Sequence, residues 1–72
     1  MKHNILKEYS WRHEGNDCLI CDCVSLIEVT DSYYIVLHTT DYICGWAPKT
    51  ITQMFEYESL NEAEKGYKKR IS

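Results

Sequence analysis

The stretch TITQMFEYESLNEAEKGYKKRI, residues 50–71, changes its hydrophobic period half-way along. Up to Tyr57 the side chains alternate, with Ile51, Phe55 and Tyr57 on one side and Thr52, Met54 and Glu56 on the other. That is the pattern of a half-buried strand over 50–57. From Ser59 the period lengthens. Leu60, Ala63, Tyr67 and Ile71 recur at helical spacing and form one apolar stripe. Ser59 stands three residues before Glu62, the arrangement of a capping box, in which side chains satisfy the exposed N–H groups of the first turn. Lys68, Lys69 and Arg70 crowd the last turn, where cations favour the negative end of the helix dipole. The spacing predicts a helix over 60–71. Gly66 is the one dissonant residue, costing about 1 kcal/mol against alanine within a helix, and it marks a place where the helix comes close to the sheet.

Upstream the chain reads as strands. Residues 18–30 alternate, placing Leu19, Cys21, Cys23, Ser25, Ile27 and Val29 on one apolar face and Asp22 and Glu28 on the other, whose polarity Cys18, Ile20, Val24 and Leu26 dilute. Thr30-Asp31-Ser32 is a tight turn, and Tyr33 to Thr39 a strand rich in β-branched and aromatic residues. Thr40-Asp41 reads as a turn, followed by a short strand over 42–46 that ends before Pro48, which cannot donate to a sheet ladder. Glu14-Gly15-Asn16-Asp17 has turn composition, and residues 4–12 fit a strand or a short helix equally well. Connections this short force antiparallel pairing. The expectation is a single α+β domain over residues 1–72, a small antiparallel sheet of about four strands with one C-terminal helix packed on it.

A domain of 72 residues has a thin core, burying only roughly 60% of its unfolded surface. Natural scaffolds of this size usually add a disulfide, a structural metal or a partner subunit. The net charge of −3, from 11 acidic and 8 basic residues, does not make the basic surface that non-specific phosphate binding needs. It is also too mild for a full DNA mimic. Nothing at the N-terminus has the apolar run of a signal peptide, and no segment has the length and hydropathy of a membrane span. The expected compartment is the cytoplasm, with no membrane and no direct nucleic-acid partner.

In a reducing compartment clustered cysteines are more often metal-binding or catalytic than bridged. Cys18, Cys21, Cys23 and Cys44 are the constellation here that carries chemistry. Four thiolates suit a tetrahedral zinc, and Cys18-x-x-Cys21 beside the Gly15–Asn16 turn has the spacing of a zinc knuckle. The expectation is a structural zinc on Cys18, Cys21, Cys23 and Cys44, with His13 and His38 as reserve ligands. Buried thiols acting as small hydrophobes and disulfides are the alternatives. A thioredoxin-like reading fails because Leu19 and Ile20 make the intervening pair strand-like, not a helix N-terminus. A nucleophilic pair of Cys44 with His38 lacks a group to orient the imidazole and a glycine-rich oxyanion turn. The chain reads as a protein without catalysis.

Tyr34, Trp46 and the acidic set Glu56, Glu58, Glu62 and Glu64 are the candidate partner-contact residues, and an open sheet edge leaves the chain a monomer or a homodimer. With the capped strand–helix ending Phe55-Glu56-Tyr57-Glu58-Ser59-Leu60-Asn61-Glu62-Ala63-Glu64 and the cysteine set, the chain resembles small phage-encoded anti-CRISPR proteins acting on Cas9-type effectors, some of which carry a structural metal. The resemblance lies in length, mild acidity, α+β plan and absence of a catalytic motif. It implies a stoichiometric inhibitor in the host cytoplasm that binds a Cas9-type nuclease and blocks its nucleic-acid engagement or activation. The other expectation is a zinc-stabilised accessory or regulatory protein-interaction module of phage or bacterial origin.

Overall fold

A computed structural model describes residues 4–45 and 47–72. Trp46, expected to close a strand and to contact a partner, lies outside the described residues. The element order is β1 (Asn4–Gly15), β2 (Cys18–Thr30), β3 (Tyr33–Cys44), β4 (Lys49–Tyr57) and α1 (Leu60–Ile71). The strands pair in sequence order as one antiparallel sheet, β1-β2-β3-β4, and the helix lies across one face, as the change of period at Ser59 anticipates. No helix among the described residues is long and apolar enough to cross a membrane.

One open alternative is settled and one expectation changes. Residues 4–12 belong to a strand, and it extends to Gly15. Thr40-Asp41 is not a turn: β3 runs through it to Cys44. Both side chains are satisfied within the sheet, on opposite faces. Thr40 Oγ1 donates to Asp22 Oδ1 at 2.7 Å, and Asp41 Oδ1 accepts from Thr50 Oγ1 at 2.7 Å. Residues that compete for local turn bonds when isolated are here held across strands.

The turns follow their chemistry. Asn16-Asp17 closes β1 to β2 with Gly15 opposite Cys18, and Asp17 takes the left-handed backbone, φ 61°, that Asx residues tolerate. At Asp31-Ser32 the Ser32 amide donates to Thr30 Oγ1 at 3.3 Å, and the Tyr34 hydroxyl to the Asp31 carbonyl at 3.2 Å.

The helix packs on the even-numbered face of β2, not on the face that carries Leu19, Cys21 and Cys23. Val24, Leu26 and Val36 are fully buried beneath Ala63 and Tyr67, with Tyr34 beside them and Trp11, Phe55, Tyr57 and Ile71 around the rim. The helix leaves β4 directly after Tyr57 and folds back over the side where Phe55 and Tyr57 already point. Ser59 Oγ accepts from the Glu62 amide at 3.2 Å, starting the helix as its sequence requires. Arg70 stacks over the Phe55 ring, 4.1 Å from its centroid, and donates to Gln53 Oε1 at 3.2 Å.

Gly66 has a packing reason. A Cβ there would lie 2.6 Å from Cζ of Tyr57, so the helix can sit this close to β4 only with no side chain at that point. Gly66→Ala gains about 1 kcal/mol of helix propensity but overpacks a contact of the kind that costs about 1–3 kcal/mol. The expected net result is a melting temperature lowered by several degrees in a thermal scan. An unchanged or raised melting temperature would show that Tyr57 moves aside freely.

Candidate functional site

Register divides the side chains of β2 into two sets, and every candidate site residue follows from that division. On the helix face, beyond the helix, stand Trp11, Asp22, Thr40 and Ile51 in one cross-strand row and His13, Ile20, Tyr42 and Lys49 in the next. Asp22 is the buried charge of this region, 8% exposed. His38 Nε2 lies 2.9 Å from Asp22 Oδ1 and His13 Nε2 3.4 Å from Oδ2, while Thr40 donates to Oδ1. Burial by itself raises the Asp22 pKa. The hydrogen bonds from Thr40 and His38, the His38 charge when that ring is protonated, and the His13 contact outweigh it, so the carboxyl is held below its ordinary range. An ionised carboxylate only accepts, so Nε2 of His38 is the protonated nitrogen. His38 Nδ1 is buried without a partner, and the ring packs near Trp11, 5.8 Å between centroids.

Among the described residues the opposite face carries no helix. Its rows run Ile5–Ile27–Ile35–Glu56, then Glu8–Ser25–Leu37–Met54, Ser10–Cys23–Thr39–Thr52, Arg12–Cys21–Asp41–Thr50 and Glu14–Leu19–Ile43. Ile5 is 60% exposed, Met54 55% and Ile43 51%. Ser25 Oγ donates to Glu8 Oε2 at 3.1 Å. A shallow concavity of about 370 Å³ opens at the centre, among Ser10, Arg12, Cys21, Cys23 and Asp41.

The four cysteines do not form one ligand set in this structure. Cys18 and Cys44 face each other across β2 and β3 and are joined as a disulfide, while Cys21 and Cys23 are free thiols on the other face. The physical reason is alternation. A Cys-x-x-Cys knuckle needs a chain reversal, but Cys18 to Thr30 is one strand, and three positions along a strand reverse the side of the sheet. The reserve ligands His13 and His38 turn to Asp22. Among the described residues no three His, Cys, Asp or Glu side chains come together in a way that would hold a metal ion. Nor does Cys44 meet His38 as a nucleophilic pair, because its sulfur is bonded to Cys18. The Cα atoms of Cys18 and Cys44 are 4.4 Å apart, the spacing of a non-hydrogen-bonded antiparallel pair.

The partner-contact candidates separate in the same way. Tyr34 is core, 6% exposed. Its neighbour Tyr33 faces outward instead, and the Glu56 carboxylate beside it raises the Tyr33 pKa. Glu56, Glu58 and Glu62 are exposed and Glu64 half-buried, with Lys7 Nζ 3.9 Å from Glu64 Oε1. The β2–β3 hairpin brings Glu28 and Asp31 to the same end of the sheet as Glu56, Glu58 and Glu62. Sequence reading misses Glu28 and Asp31 because they join that end only through strand register, though the turn signal at Asp31-Ser32 fixes their place.

No protein-family model matches the chain, and no curated protein or solved structure shows significant similarity to it. Its chemistry therefore rests on the geometry above. Because the folded Asp22 pKa lies below its unfolded value, near 3.9, its ionised form contributes stability at neutral pH, and that contribution is lost as pH falls through the folded value. Asp22→Asn should lower stability at pH 7 by about 1–3 kcal/mol, and the gap to the parent chain should narrow on acidification below about pH 4. Parallel stability–pH curves in denaturant titrations would contradict this assignment.

Proposed function

We propose that this chain is a non-enzymatic protein-binding module that acts as a stoichiometric inhibitor of a Cas9-type nuclease. The observation that supports the reading is the acidic end of the sheet, which carries Glu28 on the helix face, Glu56 beside Tyr33 on the other face, and Asp31, Glu58 and Glu62 in the turn and at the start of the helix. Such nucleases hold their guide and target in a positively charged channel. A rigid acidic end with an amphipathic aromatic residue complements that channel, and electrostatic complementarity contributes association rate and specificity. A surface of about 800 Å² per partner makes a specific interface, within reach of a domain whose extents are 43 × 27 × 14 Å. The target class comes from the resemblance to anti-CRISPR proteins, while the acidic end supplies the contact surface. The bound protein would exclude guide or DNA, with no bond made or broken.

The test is a DNA-cleavage assay with purified Cas9-type nucleases, guide RNA and increasing amounts of the chain. Cleavage should fall to a plateau at a fixed ratio of chain to nuclease, and the block should weaken as salt is raised. Glu28→Lys with Glu56→Lys should weaken inhibition by at least about tenfold, as several unfavourable charge contacts of about 1 kcal/mol would. Undiminished cleavage across nucleases of diverse origin would overturn the proposal.

A further inference from the structure

We propose that the sheet face opposite the helix is covered by a second copy of this chain, in a face-to-face two-fold dimer with the free thiols Cys21 and Cys23 at its centre. The inference does not depend on the nuclease reading, although Glu56 stands in the end row of this same face.

The first argument is area. A folded monomer of 8.5 kDa exposes about 4,650 Å² by the size scaling of monomeric proteins, whereas this chain exposes 5331 Å². Its radius of gyration, 13.9 Å, also exceeds the about 11 Å of a compact domain of its length. The excess surface approaches the roughly 800 Å² per partner of a standard interface. Domains are built from two packed layers with the apolar faces turned inward. Here one layer is the sheet, the helix covers part of one side, and the other side is bare.

The second argument is the relief of that bare face. Its middle row holds Ser10, Cys23, Thr39 and Thr52, all small, and the rows at its ends carry isoleucine and leucine. A face without central bulk allows another sheet to lie at the roughly 10 Å spacing of packed sheets.

The third argument is charge, and it selects the orientation. A two-fold axis lying in the interface along the Ser10–Cys23–Thr39–Thr52 row runs the two sheets in opposite directions. Glu8 then sits over the partner's Arg12, and Arg12 over the partner's Glu8. Ile27 covers the partner's Leu19, and Ile35 the partner's Ile43. Asp41 falls over the partner's Leu37, but its carboxylate is already bonded to Thr50 within its own sheet. Either in-plane axis sets one carboxylate over the partner's Ile5, Glu14 in this orientation and Glu56 about the axis along the strands, but the second axis pairs no opposite charges. The selected orientation also puts the two acidic ends at opposite extremes of the dimer, with Glu56 at the border of the covered face. Such an interface is isologous, each patch meeting its own copy.

Sedimentation equilibrium of the full chain should give twice the monomer mass. Ile27→Glu with Leu37→Glu should return it to the monomer mass with its circular dichroism retained, since both side chains are on the uncovered face. Glu8→Arg alone should weaken dimerisation, and adding Arg12→Glu should restore it, because the swap rebuilds the pair with reversed sign. Copper-phenanthroline oxidation should yield a disulfide-linked dimer of Cys21→Ser, bridged through Cys23 at the axis, and none of Cys23→Ser. A monomer at every concentration, or a dimer that survives Ile27→Glu with Leu37→Glu, would overturn the proposal. The first result would leave the face to a different protein, and the second would place the contact at a strand edge.

Discussion

The pairing of β2 with β3 is the constraint on which the remaining structure depends. Beyond a one-residue irregularity between Glu28 and Thr30, the pairs run without a break from Glu28 opposite Tyr34 to Cys18 opposite Cys44. Because side chains alternate along a strand, slipping that register by one residue would move every side chain to the other face. It would take Val24, Leu26 and Val36 out of the core, part Asp22 from Thr40 and separate the two bridged sulfurs. The disulfide locks the far end of the same hairpin. For a loop closed across 26 positions, the chain-entropy account gives about 3.5 kcal/mol, a large share of what so small a domain can have. The staple that a 72-residue chain calls for is thus a bond between strands, at the end the helix does not reach.

The second consequence of the register is asymmetry. One face is closed at its centre by Ala63 and Tyr67 and, beyond the helix, by the polar knot of Asp22 with His13, His38 and Thr40. That knot buries a carboxylate at a site the helix leaves uncovered, which works only because the carboxylate has donors on β1 and β3. The other face has no second layer among the described residues. Its isoleucines and two leucines would cost little singly, since exposed apolar residues are common. They gather in two clusters, Ile5, Ile27, Ile35 and Leu37 with Met54 towards one end and Leu19 with Ile43 at the other, with small and polar side chains between, and apolar patches on a surface mark contact with other macromolecules. The free thiols belong to this face, the bridged ones to the other.

Much of this is legible in the sequence, for identifiable reasons. The helix is announced by Ser59, its stripe and its basic last turn, and Gly66 by its misfit. The strand over 18–30 and its turn follow from β-branched alternation. The third strand is misread because Thr40-Asp41 is turn-like in isolation, and only bonds to Asp22 and Thr50 keep it extended. Two things conceal the cysteine pairing: β3 has to be carried to residue 44, and the one-residue irregularity between Glu28 and Thr30 is what sets Cys18, and not Leu19, opposite Cys44. Spacing alone favours a zinc knuckle at Cys18-x-x-Cys21, and only the strand reading separates those sulfurs. Which side of β2 the helix takes is not legible either, because both sides carry apolar residues. Phe55 and Tyr57 decide it, since the chain turns back over the side they occupy.

The most direct measurement is the pairing of the cysteines. The purified chain is equilibrated with oxidised glutathione, its thiols alkylated in denaturant without reductant, and the peptides identified by mass spectrometry. The expected product carries a Cys18–Cys44 cross-link, with the label on Cys21 and Cys23. A bridge from Cys21 or Cys23 to Cys18 or Cys44 would contradict the register, and with it the division of the sheet into a closed face and an open one.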